Sequence, residues 1–192
     1  GKIIGKHVEG DIVSVADIPE DKDFNAYMQP VRDSVSNYVN QKLGTITKTI
    51  RTRDSFFGCS EFNDFIHEVQ LSVTGADISF TAPLTFDTKI EKGDIYMSDM
   101  FKLYCYENYI YMMKMRGKEI RKHLEMSYDQ WVNTMTSPDD HLICMNNRDS
   151  SRDKFFGLTK PFYNLDTAAG IVYNVDVTKP RGERIVIKSM AD

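Results

Sequence analysis

Four histidines, His7, His67, His123 and His141, are the groups in this 192-residue chain best suited to act as bases or metal ligands at neutral pH. Asp139-Asp140-His141 is a lone Asp-x-His, and no His-Glu-x-x-His or Gly-Asn-His arrangement accompanies it, the spacings that gather such groups around one ion or one water. His67 and Glu68 are neighbours, and neighbours on a helix diverge by about 100°, so they do not share a site. Cys59, Cys105 and Cys144 are odd in number, widely spaced and without a Cys-x-x-Cys pair. That pattern favours packed thiols over a disulfide framework or a zinc centre. A Gly-x-Ser-x-Gly elbow, a Gly-x-x-x-x-Gly-Lys loop and a Gly-x-Gly-x-x-Gly fingerprint are also missing. The expectation is a chain that does not catalyse by itself.

Binding chemistry is better represented. Leu103 to Tyr111 concentrates Tyr104, Tyr106, Tyr109 and Tyr111 within a few positions. Flat phenols stack on nucleobases for about 1–3 kcal/mol per base, and they equally form aromatic strands packed in a core. Both readings fit the residues. Lys114 to Lys118, continuing to Arg121 and Lys122, is locally basic around the start of a predicted helix, where an anion could bind. A solvated lysine-rich face fits it as well.

Elements must hold these groups in place, and the composition allows them. Apolar residues make up 41% and charged residues 27%, enough to bury a core. A net charge of −4 argues against an electrostatic grip on a nucleic acid polymer. No apolar run approaches the ~20 residues of a membrane span. Lys2 to Ile18 reads as one or two strands. Asp21 to Lys42 reads as a helix opened by Pro30, with Gly44 at its C-terminus, and Thr45 to Ile50 as a strand. A second helix capped by Ser60 carries a stripe of Phe62, Phe65, Ile66, Val69 and Val73, and Gly75 ends it before a strand over Ala76–Phe80. Gly93-Asp94 is expected as a turn, and Ser98 as the cap of a short helix. Tyr109–Met115 is expected as a strand and Gly117–Trp131 as a helix. The stretch from Asn133 to Pro161 is polar and aperiodic. The chain ends on a hairpin turning at Pro180-Arg181-Gly182. Strands and helices do not alternate strictly, which predicts an α+β fold, a mixed sheet with packed helices.

Several stretches occur together in the order of one family. They are Gly75-Ala76-Asp77-Ile78-Ser79-Phe80, Gly93-Asp94-Ile95, Tyr106-Glu107-Asn108, Met115-Arg116-Gly117-Lys118-Glu119-Ile120 through Leu124-Glu125, Asp166–Tyr173 and Asp176–Arg184. From about Val35 onward the chain resembles the C-terminal domain of the bacterial 5′-nucleotidases and 2′,3′-cyclic-nucleotide 2′-phosphodiesterase/3′-nucleotidases. The resemblance implies a single nucleotide-recognition domain over 1–192, with 1–20 as a strand or linker segment. It also implies a partner: an N-terminal metallophosphatase domain, in the same protein or as a separate chain, which carries a divalent metal pair and the chemistry. No cofactor is expected in this chain. The aromatic-x-Asn motif falls on Tyr106 and Asn108, which implies that Tyr106 stacks a nucleoside base and Asn108 hydrogen-bonds it. Tyr104, Tyr109 and Tyr111 keep the core reading. A periplasmic or exported location is implied, with the signal outside this chain.

Two departures bear on that expectation. Where the 5′-nucleotidase pattern has Asn-Gly-Gly-Gly-Ile-Arg, this chain has Ala82-Pro83-Leu84-Thr85-Phe86-Asp87, closer to the cyclic-phosphodiesterase branch, as is Leu124-Glu125-Met126-Ser127. Thr85 or Asp87 is then expected to approach the ribose, and Arg51 or Arg53 is a loose substitute for an arginine clamp. The family's Tyr-x-Val-Ala strand and second stacking aromatic lie beyond the last residue, which implies a truncation after 192. The alternative reading is a non-catalytic binding or interaction module derived from that domain.

Overall fold

A computed structural model describes residues 2–146 and 155–191. Over the range read as one domain, the backbone divides into two compact units, Gly1–Val39 and Asn40–Asp192.

The first unit holds helix α1 (Lys22–Val39), none of whose residues is buried. The Asp21 carboxylate accepts from the N–H groups of Asp23 and Phe24 at 2.9 Å each, which starts the helix ahead of Pro30. Pro30 therefore lies inside α1 rather than opening it. Residues 2–15 carry no regular structure, against the strands expected there. Their apolar pieces are short and find no ladder partner, and an unpaired strand is not stable alone.

The second unit contains β1 (Lys42–Ile46), β2 (Ile50–Arg51), α2 (Glu61–Thr74), β3 (Ser79–Thr81), β4 (Lys89–Ile90) and β5 (Gly93–Tyr96). It continues with α3 (Met97–Leu103), α4 (Gly117–Trp131), β6 (Thr167–Ala169), β7 (Ile171–Val175) and β8 (Ile185–Met190). Strands pair in antiparallel ladders of two: β1 with β5, β2 with β4, β3 with β6 and β7 with β8. The α+β expectation is met.

Local chemistry explains most boundaries. Ser60 Oγ accepts from Asn63 N, and Gly75, at φ 65°, closes α2 with a bond to the Leu71 carbonyl. Gly44 does not end a helix. It sits in β1 beside a register shift, where a missing side chain tolerates the bulge. Gly93 opens β5 instead of forming a turn. The N-cap of α3 is Tyr96, whose N–H donates to Asp99 Oδ2 at 2.9 Å, rather than Ser98.

Two apolar clusters hold this unit together. Phe56, Leu124, Tyr128, Trp131, Leu165 and Ile185 anchor the larger one, between α4 and the β7–β8 hairpin. Phe62, Ile66, Ile90, Ile95 and Leu103 form the other beneath α2 and α3. Of the expected α2 stripe, Phe62 and Ile66 are buried, while Val69 and Val73 are exposed.

The expected strand over Tyr109–Met115 does not form; the backbone from Tyr104 to Arg116 runs as a strap without a ladder. Its core reading fails with it, because Tyr109 is 88% and Tyr111 80% exposed. Tyr104 alone of the three packs against a core cluster.

Candidate functional site

Where α2, β3, the strap and the approach to β6 meet, they enclose a cleft of about 550 Å³. Tyr106 and Tyr163 stand on its walls, with Tyr104, Phe80 and Leu84 supplying further apolar surface. Gln70, Thr81, Asn108 and Asp166 add polar groups. The cleft shares Gln70, Phe80, Tyr104, Tyr106 and Asn108 with a longer apolar groove of about 1200 Å³ under the strap.

The strap positions Tyr106 and Asn108 two residues apart, and Asn108 Nδ2 donates to the Tyr104 hydroxyl at 3.0 Å. That bond fixes the amide in the cleft and leaves its oxygen as an acceptor. Tyr106 is 46% exposed, so a ring face remains available. Its phenol is held above the usual range, first by burial and then by Cys105 and Tyr163 beside it.

Gln70 is set by a buried relay. His67 and Gln70 lie one turn apart on α2 and both reach β3. Ser79 Oγ donates to Gln70 Oε1, so the His67 Nδ1–H must donate to Ser79 Oγ, 2.9 Å away. Burial pushes the His67 ring down to about 4, against a smaller opposing pull from Asp166, so the ring is neutral at pH 7. Its Nε2 is then an acceptor, 3.0 Å from Thr167 Oγ1, whose one proton is shared with the Thr81 carbonyl at 3.2 Å; Asn63 Nδ2 donates to the same Thr167 oxygen at 3.2 Å. Donation thus runs from His67 through Ser79 to Gln70. With its oxygen occupied, Gln70 offers its NH₂ group to the cleft.

Asp166 is held from α4. His123 Nε2 lies 2.8 Å from Asp166 Oδ2, and Ser127 Oγ donates to the Asp166 carbonyl at 2.9 Å. The Phe80 ring meets the His123 ring edge-on at 4.8 Å and limits its rotation.

Of the four residues singled out from sequence, the structure brings Tyr106 and Asn108 together and places Thr85 and Asp87 outside the cleft lining. Asp87 forms a two-point pair with Arg53, Nε–Oδ1 at 3.0 Å and Nη2–Oδ2 at 3.1 Å, with the guanidinium 5.4 Å from the Phe86 ring centroid. Thr85 Oγ1 is buried with no hydrogen-bond partner among the described residues. The loop carrying both is pinned by Thr52, whose Oγ1 donates to the Phe86 and Thr88 carbonyls and accepts from Thr88 N.

Sequence reasoning missed Gln70, Tyr163 and Asp166. Asp166 was visible as the first residue of a motif, but nothing in one dimension pairs it with His123, 43 residues away. The basic run at the start of α4 is solvent-exposed, and Glu119 Oε2 already takes the Arg116 N–H at 2.7 Å, so that helix start is occupied by its own side chain. Among the described residues no group of three or more His, Cys, Asp or Glu is arranged to hold a metal ion. None of their helices is long and apolar enough to cross a membrane.

Comparison with known proteins gives a consistent picture. Residues 42–190 match the family described as 5′-nucleotidase, C-terminal domain. The chain is 33% identical over 95 residues to the trifunctional nucleotide phosphoesterase protein YfkN of Bacillus subtilis, covering 48% of this chain and 6% of that protein. It is 31% identical over 98 residues to a 2′,3′-cyclic-nucleotide 2′-phosphodiesterase/3′-nucleotidase of Salmonella typhimurium, covering 51% of this chain and 13% of the relative. A protein of the same description from Yersinia enterocolitica is 30% identical over 115 residues, 57% of this chain and 16% of its own length. Among solved structures, a putative 5′-nucleotidase from Staphylococcus aureus superposes with a TM-score of 0.66 at 18% identity, covering 91% of this chain and 32% of that one. The chain therefore spans a minor part of the length of each relative, and the structural likeness speaks to the fold.

Proposed function

Because the chain belongs to the 5′-nucleotidase C-terminal domain family, we propose that it is the nucleoside-holding domain of an exported nucleotide hydrolase. The observation that carries this reading is the pairing of Tyr106 and Asn108 on one wall of the cleft. Tyr106 offers a partly exposed ring to a base, and the Asn108 amide, braced by Tyr104, hydrogen-bonds the base edge. Hydrolysis at a divalent metal pair belongs to a metallophosphatase domain outside these residues. This chain supplies binding and orientation, which is where much of the barrier reduction in such a reaction originates.

Titration calorimetry with adenosine tests the reading. Wild type is expected to bind, and Tyr106→Ala to bind at least about tenfold more weakly, the equivalent of one lost stacking contact. Equal heats for the two proteins would remove Tyr106 from the site.

A further inference from the structure

We propose that Asp166 is a specificity residue of the cleft: its carboxylate accepts a neutral hydrogen-bond donor of the nucleoside and turns phosphate away. This rests on the nucleoside reading above and adds to it what the polar side of the cleft selects.

Three observations converge. Asp166 is the single ionisable carboxylate among the described residues lining the cleft, and that lining contains no lysine or arginine. A phosphate entering there would meet a negative charge with no cation to offset it. Second, the carboxylate is only half used. His123 takes Oδ2, and Oδ1 receives no hydrogen bond from the described residues. Side-chain exposure of 29% leaves it accessible from the cleft yet partly desolvated, the condition in which a charge-assisted hydrogen bond is strongest. Third, its position is over-determined. His123 fixes the side chain, Ser127 fixes the backbone carbonyl, and Phe80 packs on His123. A carboxylate that served only to balance a surface charge would need none of this.

The donor it takes is either a sugar hydroxyl or an exocyclic amine of the base, and both are neutral O–H or N–H groups. Asp87, paired with Arg53 outside the lining, leaves Asp166 as the carboxylate placed to do this. His123 is a positioning residue and makes no contact with the ligand.

Calorimetry of the 192-residue chain decides the matter with five ligands: adenosine, 2′,3′-dideoxyadenosine, purine riboside lacking the 6-amino group, 5′-AMP and 3′-AMP. Asp166→Asn is expected to bind adenosine about tenfold more weakly, the loss of one hydrogen bond to a charged acceptor. One analogue, dideoxyadenosine or purine riboside, is expected to show the same loss in wild type and no further loss in Asp166→Asn. Whichever it is identifies the donor as sugar or base. Wild type is expected to bind neither monophosphate more tightly than adenosine. Unchanged adenosine binding by Asp166→Asn, with binding lost in Tyr106→Ala, overturns the role of Asp166 and leaves the stacking site standing. Tighter binding of either monophosphate by wild type also overturns it, and that arm needs no variant to fold. Failure of wild type to bind any nucleoside removes the stacking reading and this one together.

Discussion

His67 shows how a histidine can matter without touching a ligand. Its neutral ring completes the relay that orients Gln70, and it stays neutral because burial disfavours its charged form. Stability follows from that. In the unfolded chain the ring protonates near its ordinary 6.5, whereas in the fold it resists until about 4. The unfolded state therefore binds more protons as pH falls through this window, and stability is lost between pH 6.5 and 4, by about 3 kcal/mol in all. Urea denaturation at pH 7 and pH 4 is expected to show this drop in wild type and a drop smaller by roughly that amount in His67→Gln. Identical drops would mean that other groups govern acid sensitivity. The residue types at this scale were only half readable in the sequence. The Tyr106-x-Asn108 spacing is local and so survives in one dimension. Gln70 and Asp166 acquire roles from partners on other elements, and neither residue type is unusual where it stands.

At the scale of elements, the most telling joint is between α4 and the β7–β8 hairpin. Arg184 is fully buried, and its guanidinium closes the end of α4. Nη1 donates to the Val132 carbonyl at 2.8 Å, Nη2 to Thr134 Oγ1 at 2.6 Å and Nε to the Lys179 carbonyl at 3.2 Å. From the other side, Glu125 accepts from the N–H groups of Arg184 and Ile185 at 3.0 and 2.8 Å. Two sequence motifs, Gly182-Glu183-Arg184 and Leu124-Glu125, are thus halves of one structural clasp. Arg184→Met is expected to destabilise the fold by about 3 kcal/mol, since it strips a buried helix end of its donors, and Arg184→Lys to rescue little because one ammonium cannot fork to three acceptors. A shift in urea midpoint worth less than about 1 kcal/mol would show that water replaces the guanidinium. Periodicity found α2, α4 and β7 because each buries one face; it misplaced the strand over Tyr109–Met115, whose apolar residues have no neighbouring strand to pair with.

Across the whole molecule, the apolar surface is distributed unevenly. The Asn40–Asp192 unit buries two clusters around α4 and α2, whereas α1 leaves Phe24, Tyr27, Val31, Val35 and Tyr38 exposed. Composition forecast a chain able to fold, and the order of its motifs forecast the family. Topology was out of reach, because β1 pairs with β5 and β3 with β6 across long separations that no local pattern encodes. The match over residues 42–190 sets the resemblance within the second unit.

The strap from Tyr104 to Arg116 has a thermodynamic consequence. It carries the proposed base-holding residues but no ladder of backbone hydrogen bonds, so its amides have little protection of their own. A ligand seated against Tyr106 must stiffen that segment as it binds, and part of the stacking enthalpy is offset by the lost chain entropy. Amide hydrogen exchange should therefore be fast over 105–116 in the free chain and slow on addition of adenosine, while the exchange of α4 stays unchanged. Exchange that is already slow without ligand would mean a pre-stiffened wall. Affinity in this cleft would then be set by contact alone, with no entropic toll on entry.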